Sequence, residues 1–223
     1  MCFSASASFT AGAVLLAVGA VTVRKASARA EVPFAAIPVL FGVQQIVEGA
    51  LWVALAADAA LAGAVLAQVY SVFSHVLWPA YVPAATLLLE PVAWRRKVLA
   101  ALLVLGAVTA LYLLYTLVRF PISAEAAGGH IRYLAPHLYV PWVMAAYLAT
   151  TIASPCFSSH RAVVAFGVLA FTAALAAYAA YAAWFISVWC FFAALLSAVV
   201  WLHFRGRGCG ASGIGRPRAI GAA

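Results

Sequence analysis

Phe41-Gly-Val-Gln-Gln-Ile-Val-Glu-Gly-Ala-Leu-Trp52 lies inside an apolar run from about Pro33 to Ala57. About 20 helical residues cross a bilayer, so the run is long enough to span one. It nevertheless carries Gln44, Gln45 and Glu48. Helical spacing of three and four residues places Phe41, Gln44 or Gln45, Glu48 and Trp52 along one face. A carboxylate in hydrocarbon needs a partner, a proton or a water-filled cavity. The remaining helices are expected to enclose that face.

Composition supports the membrane reading. Of 223 residues, 68% are hydrophobic and 8% charged, against roughly a quarter charged in soluble domains. The net charge of +8 is confined to short clusters between apolar runs, a pattern of membrane topology rather than of nucleic-acid binding. The basic loops are placed to meet anionic lipid headgroups. Arg outnumbers Lys by 11 to 2 and Ala is abundant, which points to a high-GC bacterial genome.

Seven spans are expected: about Phe9–Val23, Pro33–Ala57, Leu61–Leu89, Val98–Val118, Tyr133–Ala153, Ala162–Ala180 and Trp184–His203. Pro79 and Pro83 are bend points in the third, and Asp58 marks a tight turn before it. Arg119 to Pro136, with Gly128 and Gly129, reads as the longest loop. The opening residues lack the basic region and cleavage site of a removable signal. The domain expectation is an all-α, seven-transmembrane-helix bundle over 1–204, followed by a disordered basic tail over 205–223. Arg24, Lys25, Arg29, Arg95, Arg96, Lys97, Arg161 and the four tail arginines fall on one side, and only Arg119 and Arg132 on the other. The positive-inside rule then puts the amino terminus outside and the carboxyl terminus in the cytoplasm of a plasma-membrane protein.

Among five acids, Glu31, Asp58, Glu90 and Glu125 fall in loops or at span ends, and Glu48 alone lies well inside. Gln68, Ser71, His75 and Trp78 share one face of the third span, with His75 near mid-bilayer. His137 sits in the first turn of the fifth span, within Pro136-His-Leu-Tyr-Val-Pro-Trp142. Ser187, Cys190, Ala194, Ser197 and Trp201 form a small-and-polar stripe on the seventh. Glu48, His75 and His137 are therefore expected to converge in the outer half of the bundle, with Cys2 at its mouth. Structural readings stand beside these: a bonded protonated Glu48, a core His75, an interfacial His137, a packing stripe on span seven and a Cys2 that merely opens the first helix. His130, His160 and His203 are expected in solvent, and Cys156, Cys190 and Cys209 as apolar fillers or free thiols.

Met-Cys-Phe-Ser-Ala-Ser-Ala-Ser-Phe9, together with Phe41–Trp52, Ser74-His-Val-Leu-Trp-Pro79, Pro136-His137 and Trp189-Cys-Phe-Phe192, resembles an uncharacterised family of bacterial multi-pass membrane proteins. The resemblance implies seven spans and no established activity. In architecture alone the chain is similar to seven-helix zinc hydrolases of the alkaline ceramidase type, whose His-x-x-x-His pair on the last helix it lacks. Rhodopsins share the helix count, but Lys25 and Lys97 lie in loops, so no retinal Schiff base forms in span seven.

Three functional classes fit these residues. The first is a metal-dependent membrane enzyme, a hydrolase in character, with zinc or copper held by Glu48, His75, His137 and Cys2. Glu48 would be its catalytic group, and Gln44, Gln45, Trp52 and Trp78 would bind a small molecule or ion. The second is a proton-coupled transporter using Glu48 and His75. The third is a haem-binding or sensor protein with His75 and His137 as axial ligands. The orientation itself is testable with a reporter active only in the cytoplasm. Fused after Ala223 it is expected to be active, and inserted at Gly128 to be silent; the reverse pattern overturns the orientation.

Overall fold

The structure is a computed structural model that describes residues 4–134, 140–181, 188–189, 192 and 194–205. Five of its helical segments are long and apolar enough to cross a membrane. Helix α1 (Ala5–Lys25) starts at Ser4, whose hydroxyl caps the Ala7 amide at 3.2 Å. Arg24 and Lys25 in its last turn complement the negative end of the helix dipole. Helix α2 covers Arg29–Ala56, entering through a short 3₁₀ turn and continuing as an unbroken α-helix over Ile37–Ala56. Asp58, at φ 50°, makes the turn into α3, as its sequence position suggests. Helix α3 covers Ala60–Leu89 and is π-helical over Val72–Leu77. Helix α4 is Ala93–Arg119.

Within the loop that the sequence suggests over 119–136, the described residues, up to 134, form a hairpin. Strand β1 (Ser123–Ala127) pairs antiparallel with β2 (His130–Leu134). Gly128 and Gly129, at φ 61° and 75°, supply the two positive φ angles that a two-residue hairpin turn requires. The hairpin docks back on the bundle: Ile131 is fully buried and Tyr133 stacks on Tyr70 of α3 with ring centroids 4.7 Å apart. Tyr133 therefore belongs to a strand rather than to the fifth helix. Helix α5 begins at Pro141, a favoured first-turn residue, and runs through a π-helical stretch, Ala149–Ala153, to Cys156. Helix α6 is Arg161–Tyr181 and helix α7 is Ser197–Arg205.

Helices α1 and α2 pack through paired glycines. A Cβ on Gly12 would lie 2.7 Å from Ile46, and one on Gly49 would lie 2.9 Å from the Phe9 ring. Small residues permit this close approach where lipid supplies no hydrophobic drive between helices. Between α3 and α4 the backbone comes closer still. Pro83 has no N–H to take the Pro79 carbonyl, and that oxygen lies 1.8 Å from where a Gly106 Cβ would be.

The two ends of the bundle are tied by polar contacts. At one end Gln68 Nε2 donates to the Leu117 carbonyl at 2.7 Å, and Gln68 Oε1 accepts from the Ile122 amide at 3.3 Å. Arg132 pairs with Glu125 across the hairpin. At the other end Glu90, which the sequence places in an ordinary loop, is buried. It accepts from the Ser159 amide at 2.6 Å, the Ser159 hydroxyl at 2.5 Å and the Val92 amide at 3.0 Å. Burial alone would raise its pKa. Those hydrogen bonds and the Arg95 guanidinium outweigh burial and hold the carboxyl below its usual range. Three histidines expected in solvent are also enclosed to different degrees. His130 is buried, which lowers its pKa; His160 Nε2 lies 3.0 Å from the Leu89 carbonyl; His203 packs edge-on to Phe34. The tertiary cover that encloses them is not a local sequence property. Of the stripe on span seven, Ala194 and Ser197 are buried and Trp201 is partly exposed, while Ser187 and Cys190 lie outside the described residues.

Two stability outcomes follow from this packing. Gly106→Ala forces a methyl into the Pro79 carbonyl, and overpacking of this kind costs about 1–3 kcal/mol; the melting temperature in detergent is expected to fall, and an unchanged value would show that α3 and α4 separate freely. Glu90 has a lowered folded-state pKa, so its stabilisation is full at neutral pH and is lost as pH falls through that lowered value. The gap in melting temperature between wild type and Glu90→Gln is expected to be wide at neutral pH and to close below the ordinary carboxylate value of about 4.3. A gap independent of pH would assign Glu90 a role in shape rather than charge.

Candidate functional site

The polar face of α2 is turned into the bundle. Gln44, Gln45 and Glu48 are each 0% exposed. Gln45 Nε2 donates to Glu48 Oε2 at 3.2 Å, one helical turn away. Gln44 Oε1 accepts from Trp78 Nε1 of α3 at 3.2 Å. The Trp78 ring also stacks on Phe41, with centroids 4.1 Å apart and planes 23° from parallel. Thus Phe41, Gln44 and Trp78 form one contact set across α2 and α3, and Gln45 and Glu48 a pair beside it on α2. Trp52 lies one turn beyond Glu48, with its Nε1 buried.

His75 belongs to the π-helical turn of α3 and is 2% exposed. Its Nδ1 lies 2.8 Å from Ser74 Oγ, the donor depending on the tautomer. A wider π turn displaces the i→i−4 bonds and leaves carbonyls to be satisfied elsewhere. Tyr147 of α5 does this, donating from its hydroxyl to the Ser74 carbonyl at 2.6 Å. Tyr147 is met edge-on by Trp189, with centroids 5.8 Å apart. Phe41, Trp78, Tyr147, Phe166 and Trp189 surround an apolar cavity of about 40 Å³ beneath this group. Sequence reading singled out His75 and Trp78 but not the roles of Ser74 and Tyr147. Ser74 stands in the Ser74-His-Val-Leu-Trp-Pro79 motif; Tyr147 carries no signal of its own, because its role is to reach another helix.

Several buried side-chain atoms near Glu48 have no hydrogen-bond partner among the described residues: Ser8 Oγ, Gln44 Nε2, Gln45 Oε1 and Trp52 Nε1. Ser8 is fully buried and precedes Phe9, which touches Gly49 beside Glu48. Gln45 reaches Glu48, Gln44 and Trp52 stand one turn to either side of it on α2, and Ser8 lies on the α1 segment packed against Gly49; these donors and acceptor are chemistry suited to a polar molecule or to water. Among the described residues, no three His, Cys, Asp or Glu side chains cluster at metal-binding distance. His137 and Cys2, two of the metal ligands expected from sequence, lie outside the described residues.

These features define a helical protein of membrane type with a polar group enclosed among its helices. The chain belongs to a family of unknown function, DUF6629, whose model matches residues 1–213. No curated protein and no solved structure matches it.

Proposed function

We propose that the protein crosses the cell membrane seven times, amino terminus outside, and binds a polar ligand at Glu48 in the outer half of the bundle. The carrying observation is the set of buried side-chain atoms without partners among the described residues, on Gln44, Gln45 and Trp52 of the helix that carries Glu48 and on Ser8 of the α1 segment packed against it. Gln44, Gln45 and Trp52 would contact the ligand, Trp78 would fix Gln44 in place, and Glu48 would supply charge or take up a proton. The contacts of the helix ends support the topology. Lys25 Nζ donates to the Arg205 carbonyl at 3.1 Å, joining the basic ends of α1 and α7, and Arg95 donates to Ser159 at 3.3 Å. Arg119 is the last residue of α4 and Arg132 lies in the hairpin, at the other end.

A second reading keeps the metal. Ser74 bonded to His75 Nδ1 resembles the outer hydrogen bond that orients a ligating imidazole. Glu48 and His75 would then share zinc or copper with His137 and Cys2, and the site would act as a metal-dependent hydrolase. A proton-coupled transporter remains the further alternative.

The polar-ligand reading makes an outcome that does not depend on knowing the ligand. If Ser8 and Trp52 bond an occupant, Ser8→Ala and Trp52→Phe are expected to lower stability, since losing a buried hydrogen bond costs about 0.5–1.5 kcal/mol. Glu48→Gln is expected to retain the fold and lose the biological activity. If Ser8 and Trp52 instead face dry protein, both replacements raise the melting temperature in detergent, and the polar-ligand reading fails. Stoichiometric zinc or copper in the purified full chain, lost in His75→Ala, would move the assignment to the metal reading.

A further inference from the structure

In the polar-ligand reading, a ligand reaches Gln44, Gln45 and Glu48, each 0% exposed, only when part of the bundle moves aside. Helix α5 is packed unevenly along its length. Of its first eight residues, Pro141–Leu148, only Tyr147 is buried, and Trp142 is 83% exposed. Its last residues are clamped on α6. A Cβ on Gly167 would lie 2.8 Å from the Pro155 side chain and 3.2 Å from the Ile152 carbonyl.

Between the loose half and the clamped end lies the π-helical stretch Ala149–Ala153. It ends two residues before Pro155, which has no N–H to give the ladder. Helices bend at such turns. A bending point inside a bilayer needs donors for the carbonyls it releases, because lipid offers none. Side-chain hydroxyls supply them here. Thr151 donates to the Tyr147 carbonyl at 2.7 Å and Ser154 to the Thr150 carbonyl at 2.6 Å. Thr150 Oγ1 lies 2.9 Å from both the Ala146 and the Tyr147 carbonyls, so it serves either one as the turn rewinds.

The loose half is held through Tyr147, whose hydroxyl donates to the Ser74 carbonyl of α3 at 2.6 Å. Tyr147 and Thr151 both border the cavity of about 40 Å³, with Phe41 and Trp78 on its wall. Trp78 in turn holds Gln44, and Glu48 lies one helical turn beyond Gln44 on α2. Withdrawing Tyr147 therefore opens the cavity up to the ring that fixes the first polar residue of α2.

We propose that Pro141–Leu148 is a gate on the route to the polar face of α2, swinging on the π turn Ala149–Ala153 and latched by the Tyr147 hydroxyl on the Ser74 carbonyl. This deepens the polar-ligand reading above and rests on it.

The test uses the full chain in phospholipid nanodiscs. Tyr147→Phe removes the latch and keeps the ring. Hydrogen–deuterium exchange of the 141–148 amides is expected to rise several-fold, with α4 and α6 unchanged. Tyr81→Phe removes a similar bond, from the Tyr81 hydroxyl to the Pro33 carbonyl at 2.8 Å, and is expected to leave the 141–148 amides as in wild type. Access is read with dicyclohexylcarbodiimide, an apolar reagent for membrane carboxyl groups. Its addition to Glu48, followed by mass spectrometry, is expected to be several-fold faster in Tyr147→Phe than in wild type. Unchanged exchange at 141–148, an equal rise in Tyr81→Phe, or a rise that extends through α4 and α6 overturns the gate. Faster exchange at 141–148 with Glu48 labelling equal or absent in both proteins overturns the route. None of these outcomes alters the Ser8→Ala and Trp52→Phe melting results, which decide the polar-ligand reading separately.

Discussion

The hydrogen bond from Gln45 to Glu48 is the interaction around which the other helices are arranged. A carboxylate inside an apolar bundle is costly, and the Gln45 amide at 3.2 Å offsets part of that cost. The surrounding helices contribute in sequence. Helix α1 closes one flank through its glycines, bringing Ser8 to the same level. Helix α3 closes the other through Trp78, which gives its indole N–H to Gln44 and its ring to Phe41. Helix α5 then holds α3 in the shape that presents His75, through Tyr147 and the Ser74 carbonyl.

Proline explains why α3 takes that shape. Pro79 and Pro83 each remove an N–H from the helical ladder, and the two losses have different consequences. The Pro79 carbonyl, unclaimed by residue 83, lies where only a glycine on α4 fits. Ahead of Pro79 the ladder widens into the π turn Val72–Leu77. In lipid every freed carbonyl must find a donor within the protein, and the Tyr147 hydroxyl is that donor for Ser74. The bend expected at two prolines is thus built as a π turn with a cross-helix tie.

Much of this was legible before any coordinates. The spans around Glu48 and His75, the turn at Asp58 and the shared face of Gln44, Glu48 and Trp52 follow from apolar run length and helical periodicity, because both are local properties. The hairpin is not legible in the same way, although Gly128-Gly129 is its local signal; a chain of apolar runs invites helices, and five-residue strands do not stand out among them. The start of the fifth helix is not legible at Tyr133, which is as apolar as its neighbours; its pairing with Ala124 and its stacking on Tyr70 assign it to a strand. Ser74 and Tyr147 were missed for a physical reason. Their contacts depend on a π turn and on which helix lies opposite, and neither is encoded by spacing within one segment. Glu90 was placed in the right loop, but its burial against Ser159 depends on the α5–α6 connection arriving beside it.

The energetics of the polar group favour an occupant over a purely structural role. Four buried side-chain atoms of this group, on Ser8, Gln44, Gln45 and Trp52, lack partners among the described residues. Each such atom, left unsatisfied, costs about 1–3 kcal/mol. Together they would cost about 4–12 kcal/mol, comparable to the stability of an ordinary domain. Apolar replacements at these positions would remove that burden, and Ala or Leu at Ser8 and Gln44 would suit a bundle that only had to pack. The cost is removed in another way if water or a ligand completes the hydrogen bonds, and the chain then gains stability when the site is filled. In the polar-ligand reading proposed above, the α2 face is a recognition surface whose donors and acceptor would be complementary to a partner outside the chain.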